Sequence, residues 1–239
     1  MYRTFEPGAA FGITAAAIAT MLAVAIAAHT LGTLPATALG LGGLGAVAVV
    51  ACKLFGLPAA AIGLRGARPR YWIAAVLVGA TCWYVNIRLV GLLPIPESKT
   101  QGLRALVDEA PLGWSLLCLA VLPAIAEELV FRGVLARALG RRSLIVAVFA
   151  SAAVFAAYHL SLVQALPTYS LGACLALIAV RADSVAPTML AHALNNAIAI
   201  VISRGTVPQV AHAIDAHPTT ALALCAAATI SGVVLAGVG

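Results

Sequence analysis

Leu112-Gly113-Trp114-Ser115-Leu116-Leu117-Cys118-Leu119-Ala120-Val121-Leu122-Pro123-Ala124-Ile125-Ala126-Glu127-Glu128-Leu129-Val130-Phe131-Arg132 is the stretch whose reading decides the fold. A membrane-spanning helix needs about 20 mostly apolar residues, and this run supplies them. It then meets two adjacent glutamates. A charged side chain at bilayer depth costs at least about 2.5–3.5 kcal/mol. An acidic doublet in such a segment therefore marks either an internal ion pair or a polar site.

The rest of the chain has the same character. Of 239 residues, 63% are hydrophobic and 9% charged, and the mean hydropathy is +1.06. A soluble domain carries about 25% charged residues, so this chain cannot coat a water-soluble globule. Its apolar runs are too long, and alternate too little, for a β-barrel. The expectation is an all-α fold, a polytopic membrane helical bundle forming a single transmembrane domain over residues 1–239.

Eight spans are expected: about Ala9–Leu31, Leu34–Phe55, Tyr71–Leu93, Leu112–Leu139, Leu144–Leu160, Leu166–Val180, Ala186–Ser203 and Thr219–Val238. The connection from Gly56 to Arg70 carries Arg65, Arg68 and Arg70. The one from Pro94 to Pro111 is charged and can hold a short surface helix. Arg204 to Pro218 reads as an ordinary polar loop. The start of the chain is a poor secretory signal, with Arg3 beside Glu6 and no good cleavage context at Ala27-Ala28-His29, so the first segment is read as retained.

The net charge is +6. In a membrane protein, loop Lys and Arg set topology and meet anionic lipid. No basic patch carries interleaved aromatics, so nucleic acid is not an expected partner. With the N-terminus inside, Arg3, Lys53, Arg65, Arg68, Arg70, Arg137, Arg141, Arg142 and Arg181 fall on the cytoplasmic side, against Lys99, Arg104 and Arg204 outside. That bias predicts a cytoplasmic N-terminus.

Two features are read as packing. Cys52, Cys82, Cys118, Cys174 and Cys225 are dispersed without a CxxC and behave as small apolar residues. Gly40-Leu41-Gly42-Gly43-Leu44-Gly45 matches GxGxxG, but no strand precedes it and no acidic residue follows at the required distance. Small residues at a helix–helix contact explain it better.

The candidate chemistry lies on three segments. Glu128 and Arg132 are four apart and share a helix face, which suits an ion pair. Glu127 points about 100° away and can face a cavity. Arg88 is an alternative partner for the doublet. Phe155 and His159 are one turn apart. His192 and Asn196 share a face, with Asn195 on its neighbouring part, and such donors suit stabilisation of an oxyanion. Ser151 lies eight residues from His159, which favours packing over a nucleophile–base dyad. Depth gives a mixed picture. Glu127 is about 21 Å of helix before Arg141 and His159 about 24 Å after Ser143. His192 is only about 8 Å beyond Pro187. The seventh helix must begin inside the membrane, or the topology differs there.

The motifs EExxxR (Glu127, Glu128, Arg132), FxxxH (Phe155, His159) and HxxxN (His192, Asn196), in that order on apolar helices, resemble the CAAX-processing and bacteriocin-processing (Abi) intramembrane proteases. The resemblance covers a core of about residues 112–203. It implies a peptidase in which Glu127 activates water, His159 assists, and His192 and Asn196 form an oxyanion hole. Glu128 and Arg132, with Phe155 and Asn195, support the site. It implies membrane lipid and a membrane-associated protein or peptide substrate, sorted or lipidated at its C-terminus, as partners. The Ala-, Gly- and Val-rich composition and short length point to a bacterial inner membrane. No cofactor is favoured. Zinc held by Glu127, His159 and His192 is the alternative, although the HExxH pattern is absent. Two other functions use the same residues. One is a proton-coupled transporter, since intramembrane Glu and His also form relays. The other is a non-catalytic immunity or scaffold protein on the same fold.

Overall fold

The computed structural model describes residues 4–94, 107–108 and 110–238. Among them there are nine helices and no strands. In chain order, α1 is Pro7–Ala27, α2 Thr33–Leu54 and α3 Pro69–Val90. The glutamate-bearing helix, α4, runs Leu112–Gly140. It is followed by α5 Leu144–Tyr158, α6 Leu162–Ala182, α7 Ala186–Ser203, α8 Pro208–Ala216 and α9 Pro218–Gly237. Seven of these are long and apolar enough to cross a membrane, and α5, at 15 residues, is a shorter apolar helix. The eight expected spans are therefore all present as helices.

The polar loop expected from Arg204 to Pro218 is instead largely helical, as α8. Pro208 and Pro218 sit at the N-terminal positions of α8 and α9. Proline there has no hydrogen bond to lose, so the prolines that suggested a loop start two helices. The connection from 94 to 111, expected to hold a surface helix, lies largely outside the described residues.

The sequence of α4 places it at the centre. It touches α1, α2, α5, α6 and α7, and its apolar window is 61% buried, against 11–44% for the other long spans. The helix is not regular. Leu117–Val121 and Glu128–Ala136 are wound as π-helix. Pro123 explains the first: it offers no N–H to the Leu119 carbonyl, and the turn before it opens. The second begins at Glu128 and carries the ion-paired arginine. π-Helical turns are frequent at functional sites.

Glycines set the helix separations. A Cβ on Gly79 would lie 2.5 Å from the Ala191 carbonyl oxygen, so α3 and α7 meet backbone to backbone one residue before His192. Gly40 and Gly43 abut α1, and Gly45 abuts Ala126. The GxGxxG run is thus a packing surface, as expected.

One end of the bundle is charged. Asp183 forms ion pairs with Arg65, at 2.5 Å, and with Arg137; Arg141 pairs with Glu6 at 2.7 Å. Asp183 has φ 52°, a left-handed conformation that aspartate tolerates, and it ends α6. The arginine-bearing connection between α2 and α3 folds inward. Ala61 and Ile62 are buried, and Arg137 donates to the Ala60 and Ala61 carbonyls.

Glu128 lies nine residues before Arg137 and His192 nine residues after Asp183. The Arg137–Asp183 ion pair joins these two segments. The seventh helix begins packed against the tucked connection, where Val185 N–H donates to the Gly63 carbonyl.

Candidate active site

Glu127 and Glu128 are buried, at 5% and 0% exposure, inside an apolar bundle. The two carboxylates have different partners. Glu128 Oε1 lies 3.0 Å from Arg132 Nη1 and 2.9 Å from His192 Nδ1. Arg132, not Arg88, is therefore the partner of the doublet, and Arg88 is exposed in the last turn of α3. Arg132 also donates to the Gly172 carbonyl at 3.3 Å and lies over the Phe155 ring at 4.2 Å. Two adjacent side chains of a helix diverge, so Glu127 turns to the other nitrogen of His192, with Oε2 3.8 Å from Nε2.

That arrangement fixes the imidazole. A carboxylate accepts only, so Nδ1 is the donor to Glu128. Nε2 is left facing Glu127. The second oxygen of Glu128 and Nε of Arg132 are buried without a hydrogen bond among the described residues. Thr188, one turn before His192, borders the Glu128 carboxylate.

Phe155 packs against both histidines. Its ring centroid lies 4.9 Å from that of His159 and 6.0 Å from that of His192, edge-on in both cases. His159 follows the last residue of α5, and its Nδ1 is 2.9 Å from the Phe155 carbonyl oxygen. It lies near enough to Glu127 for their charges to interact, but no hydrogen bond joins them among the described residues. Gly172 leaves room for this cluster: a Cβ there would meet the Phe155 ring at 3.2 Å and Arg132 Nη2 at 3.3 Å.

The amides have taken up other work. Asn196 Nδ2 donates to the Leu119 carbonyl at 3.1 Å, the carbonyl that Pro123 leaves without its α-helical donor. Asn195 Nδ2 donates to Asn196 Oδ1 at 3.2 Å. Asn196 retains a second Nδ2 hydrogen. The structure thus brings together Glu127, Glu128, Arg132, Phe155, His159 and His192. It ties Asn196, and Asn195 through it, to the Leu119 carbonyl of α4, eight residues before Glu127.

Three contributors escaped the sequence reading. Tyr158 borders Glu127 and donates to Met21 Sδ at 2.7 Å. It stands beside His159 in the sequence, and that adjacency was the available signal. Thr188 precedes His192 by four residues, a same-face spacing that could have been noticed. The Gly172 carbonyl had no signal in its side chain.

The zinc alternative was tested against these side chains. Among the described residues no group of three His, Cys, Asp or Glu converges as a metal-ligand set. His192 Nδ1 is bonded to Glu128, which leaves Nε2 as the ring nitrogen open to a ligand. Glu127 and His192 Nε2 face each other, but His159 is not grouped with them as a third ligand among the described residues, and no step below is routed through a metal.

A bundle with seven helices long and apolar enough to cross a membrane, and with a buried acid–imidazole–guanidinium cluster between α4 and α7, is an integral, multi-pass membrane protein. Residues 109–198, less than half of the chain, match the model of the Rce1-like type II CAAX prenyl endopeptidases. Over that stretch the chain carries a domain of the Rce1-like CAAX protease family. No curated protein and no solved structure matches the chain.

Proposed function

We infer that the protein is an intramembrane endopeptidase. It hydrolyses a peptide bond of a membrane-associated, C-terminally sorted or lipidated protein with water activated by Glu127. The observation that carries this reading is the division within the acidic doublet. Glu128 is held by Arg132 and His192, whereas Glu127 faces His192 Nε2 at 3.8 Å. Hydrogen-bond arms of about 2.8 Å allow one water to touch both groups.

The chemistry then follows from position. Glu127 takes a proton as the water oxygen bonds to the substrate carbonyl carbon, and the C=O electron pair moves to oxygen. With a proton shared between Glu127 and Nε2, His192 donates to that oxyanion, and the second Nδ2 hydrogen of Asn196 joins it. The C–N bond breaks and Glu127 returns its proton to the leaving nitrogen. His159, packed on Phe155, assists Glu127. Glu128 and Arg132 hold His192, and Asn195 orients Asn196. The catalytic core is residues 112–203 of a single domain. The charged end is cytoplasmic, as is the N-terminus, in a bacterial inner membrane.

The test compares the C-terminal peptides of membrane proteins from cells making the wild type, Glu127→Gln, or neither. A product set present only with the wild type is expected. Equal cleavage of the same substrate by purified Glu127→Gln protein in proteoliposomes overturns the reading.

A further inference from the structure

Of the five dispersed cysteines, the fold brings two together, Cys82 of α3 and Cys174 of α6. We propose that these two thiols are a redox modification site, which a hydroperoxide converts into an intramolecular disulfide joining α3 to α6. The proposal does not rest on the protease reading.

The register of the two helices carries it. α3 and α6 run antiparallel. At one end Asp183, which terminates α6, pairs with Arg65 in the connection before α3. At the other, Ser170 Oγ of α6 donates to Asn86 Oδ1 of α3 at 2.5 Å. Residues four apart share a helix face. One turn before Asn86 on α3 is Cys82, and one turn after Ser170 on α6 is Cys174. The pairing of Asn86 with Ser170 therefore sets the two cysteines opposite each other. Further turns set Val78 against Ile178 and Ala74 against Ala182, and all of these side chains pack in one cluster with Cys82 and Cys174. The two thiols are within hydrogen-bonding reach of each other. Asn86 is held by the Pro167 carbonyl at 3.2 Å and donates to Cys82 Sγ at 3.4 Å, which keeps that sulfur on the side facing α6. Both cysteines are free thiols in this structure.

Access assigns the order of events. Cys82 is 3% exposed, whereas Cys174 is part-exposed, so Cys174 is the thiol that meets the oxidant. Its sulfur attacks the O–O bond of the hydroperoxide and takes one oxygen as a sulfenic acid, and the other oxygen leaves as water or an alcohol. The Cys82 sulfur then attacks the sulfenic sulfur. The S–O bond breaks, and the hydroxyl leaves as water with the Cys82 proton. The two thiols are oxidised by two electrons and the peroxide bond is reduced by two. The remaining cysteines are placed elsewhere: Cys52 packs in the cluster of α1, α2 and α4, and Cys118 and Cys225 lie on α4 and α9. The disulfide also bears on the polar cluster. Gly172, whose carbonyl accepts from Arg132 at 3.3 Å, is two residues before Cys174, so the bond fixes the stretch of α6 on which Arg132 rests.

The full chain in detergent is reduced, freed of reductant and treated with hydrogen peroxide. It is then denatured and alkylated, and intact mass spectrometry counts the free thiols. The wild type should lose two of its five thiols, with peptide mapping linking Cys82 to Cys174 and dithiothreitol restoring both. Two variants remove one partner each, Cys174→Ala at the part-exposed position and Cys82→Ala at the buried one, and neither should form a disulfide. Cys82→Ala oxidised in the presence of dimedone should carry the adduct on Cys174. Cys225→Ala, outside the pair, should still lose two thiols. A wild type that keeps all five thiols under peroxide, a disulfide that joins another pair or two chains, or an equal loss of thiols in Cys174→Ala overturns the proposal.

Discussion

His192 and Glu128 meet at 2.9 Å through Nδ1, and that bond aims the other ring nitrogen at Glu127. One carboxylate of the doublet orients the imidazole that the other faces. Adjacent residues on α4 thereby acquire separate duties, which mutation can distinguish.

Glu127→Gln is expected to abolish cleavage with little change in melting temperature, because the amide keeps the shape and Glu127 is not the partner of Arg132. Glu128→Gln removes the counter-charge of an arginine that is 1% exposed. Breaking a buried pair costs about 3–5 kcal/mol, so a large loss of thermal stability in detergent is expected along with the loss of activity. Paired melting curves and turnover measurements on the two variants check this; equal destabilisation by both would contradict it.

Asn196→Ala is expected to lower turnover by roughly 10²–10³, as loss of an oxyanion donor does. The same change leaves the part-buried Leu119 carbonyl without its side-chain donor, a cost at the lower end of the about 1–3 kcal/mol for a buried group. Turnover measured at a temperature well below the melting transition isolates the first effect. An unchanged value there removes Asn196 from the reaction.

Gly79→Ala alters no polar group, yet its new Cβ would meet the Ala191 carbonyl oxygen at 2.5 Å. The backbones of α3 and α7 must separate, carrying His192 with them. Overpacking of this kind costs about 1–3 kcal/mol. Catalysis should fall along with stability, whereas Gly42→Ala, which meets nothing within 4 Å, should be silent. Melting temperature and turnover of both variants provide the comparison.

Asp183→Asn leaves Arg137, whose side chain is 3% exposed, without its carboxylate. Asp183 itself is partly exposed, so the loss should fall near the lower end for a broken buried pair, about 3 kcal/mol. Because α7 begins three residues later, reduced cleavage is expected as well. A variant as stable as wild type would show that the ion layer does not hold this end together.

Much of the helical architecture was legible beforehand. Long apolar runs admit one solution in a bilayer, where every backbone donor and acceptor must be satisfied within the segment. The Glu128–Arg132 pair was legible too, because a four-residue spacing is a local fact of a helix. The turn at Pro208 was misread, since proline ends one helix and starts another with equal ease. The meeting of His192 with Glu128 was obscured because it joins segments distant in sequence, tied together also by Arg137 and Asp183, that meet only in the fold.

Local spacing, then, determined which residues share a face: Glu128 with Arg132, Phe155 with His159, His192 with Asn196. Tertiary packing alone decided that Phe155 packs against both imidazoles, that His192 binds Glu128 while facing Glu127, and that Asn196 supplies the donor Pro123 lacks. The reason is physical. Helix geometry is set by the chain's own repeating hydrogen bonds, whereas the meeting of α4, α5 and α7 depends on close contacts such as Gly79 against Ala191, made between segments that the linear order keeps apart.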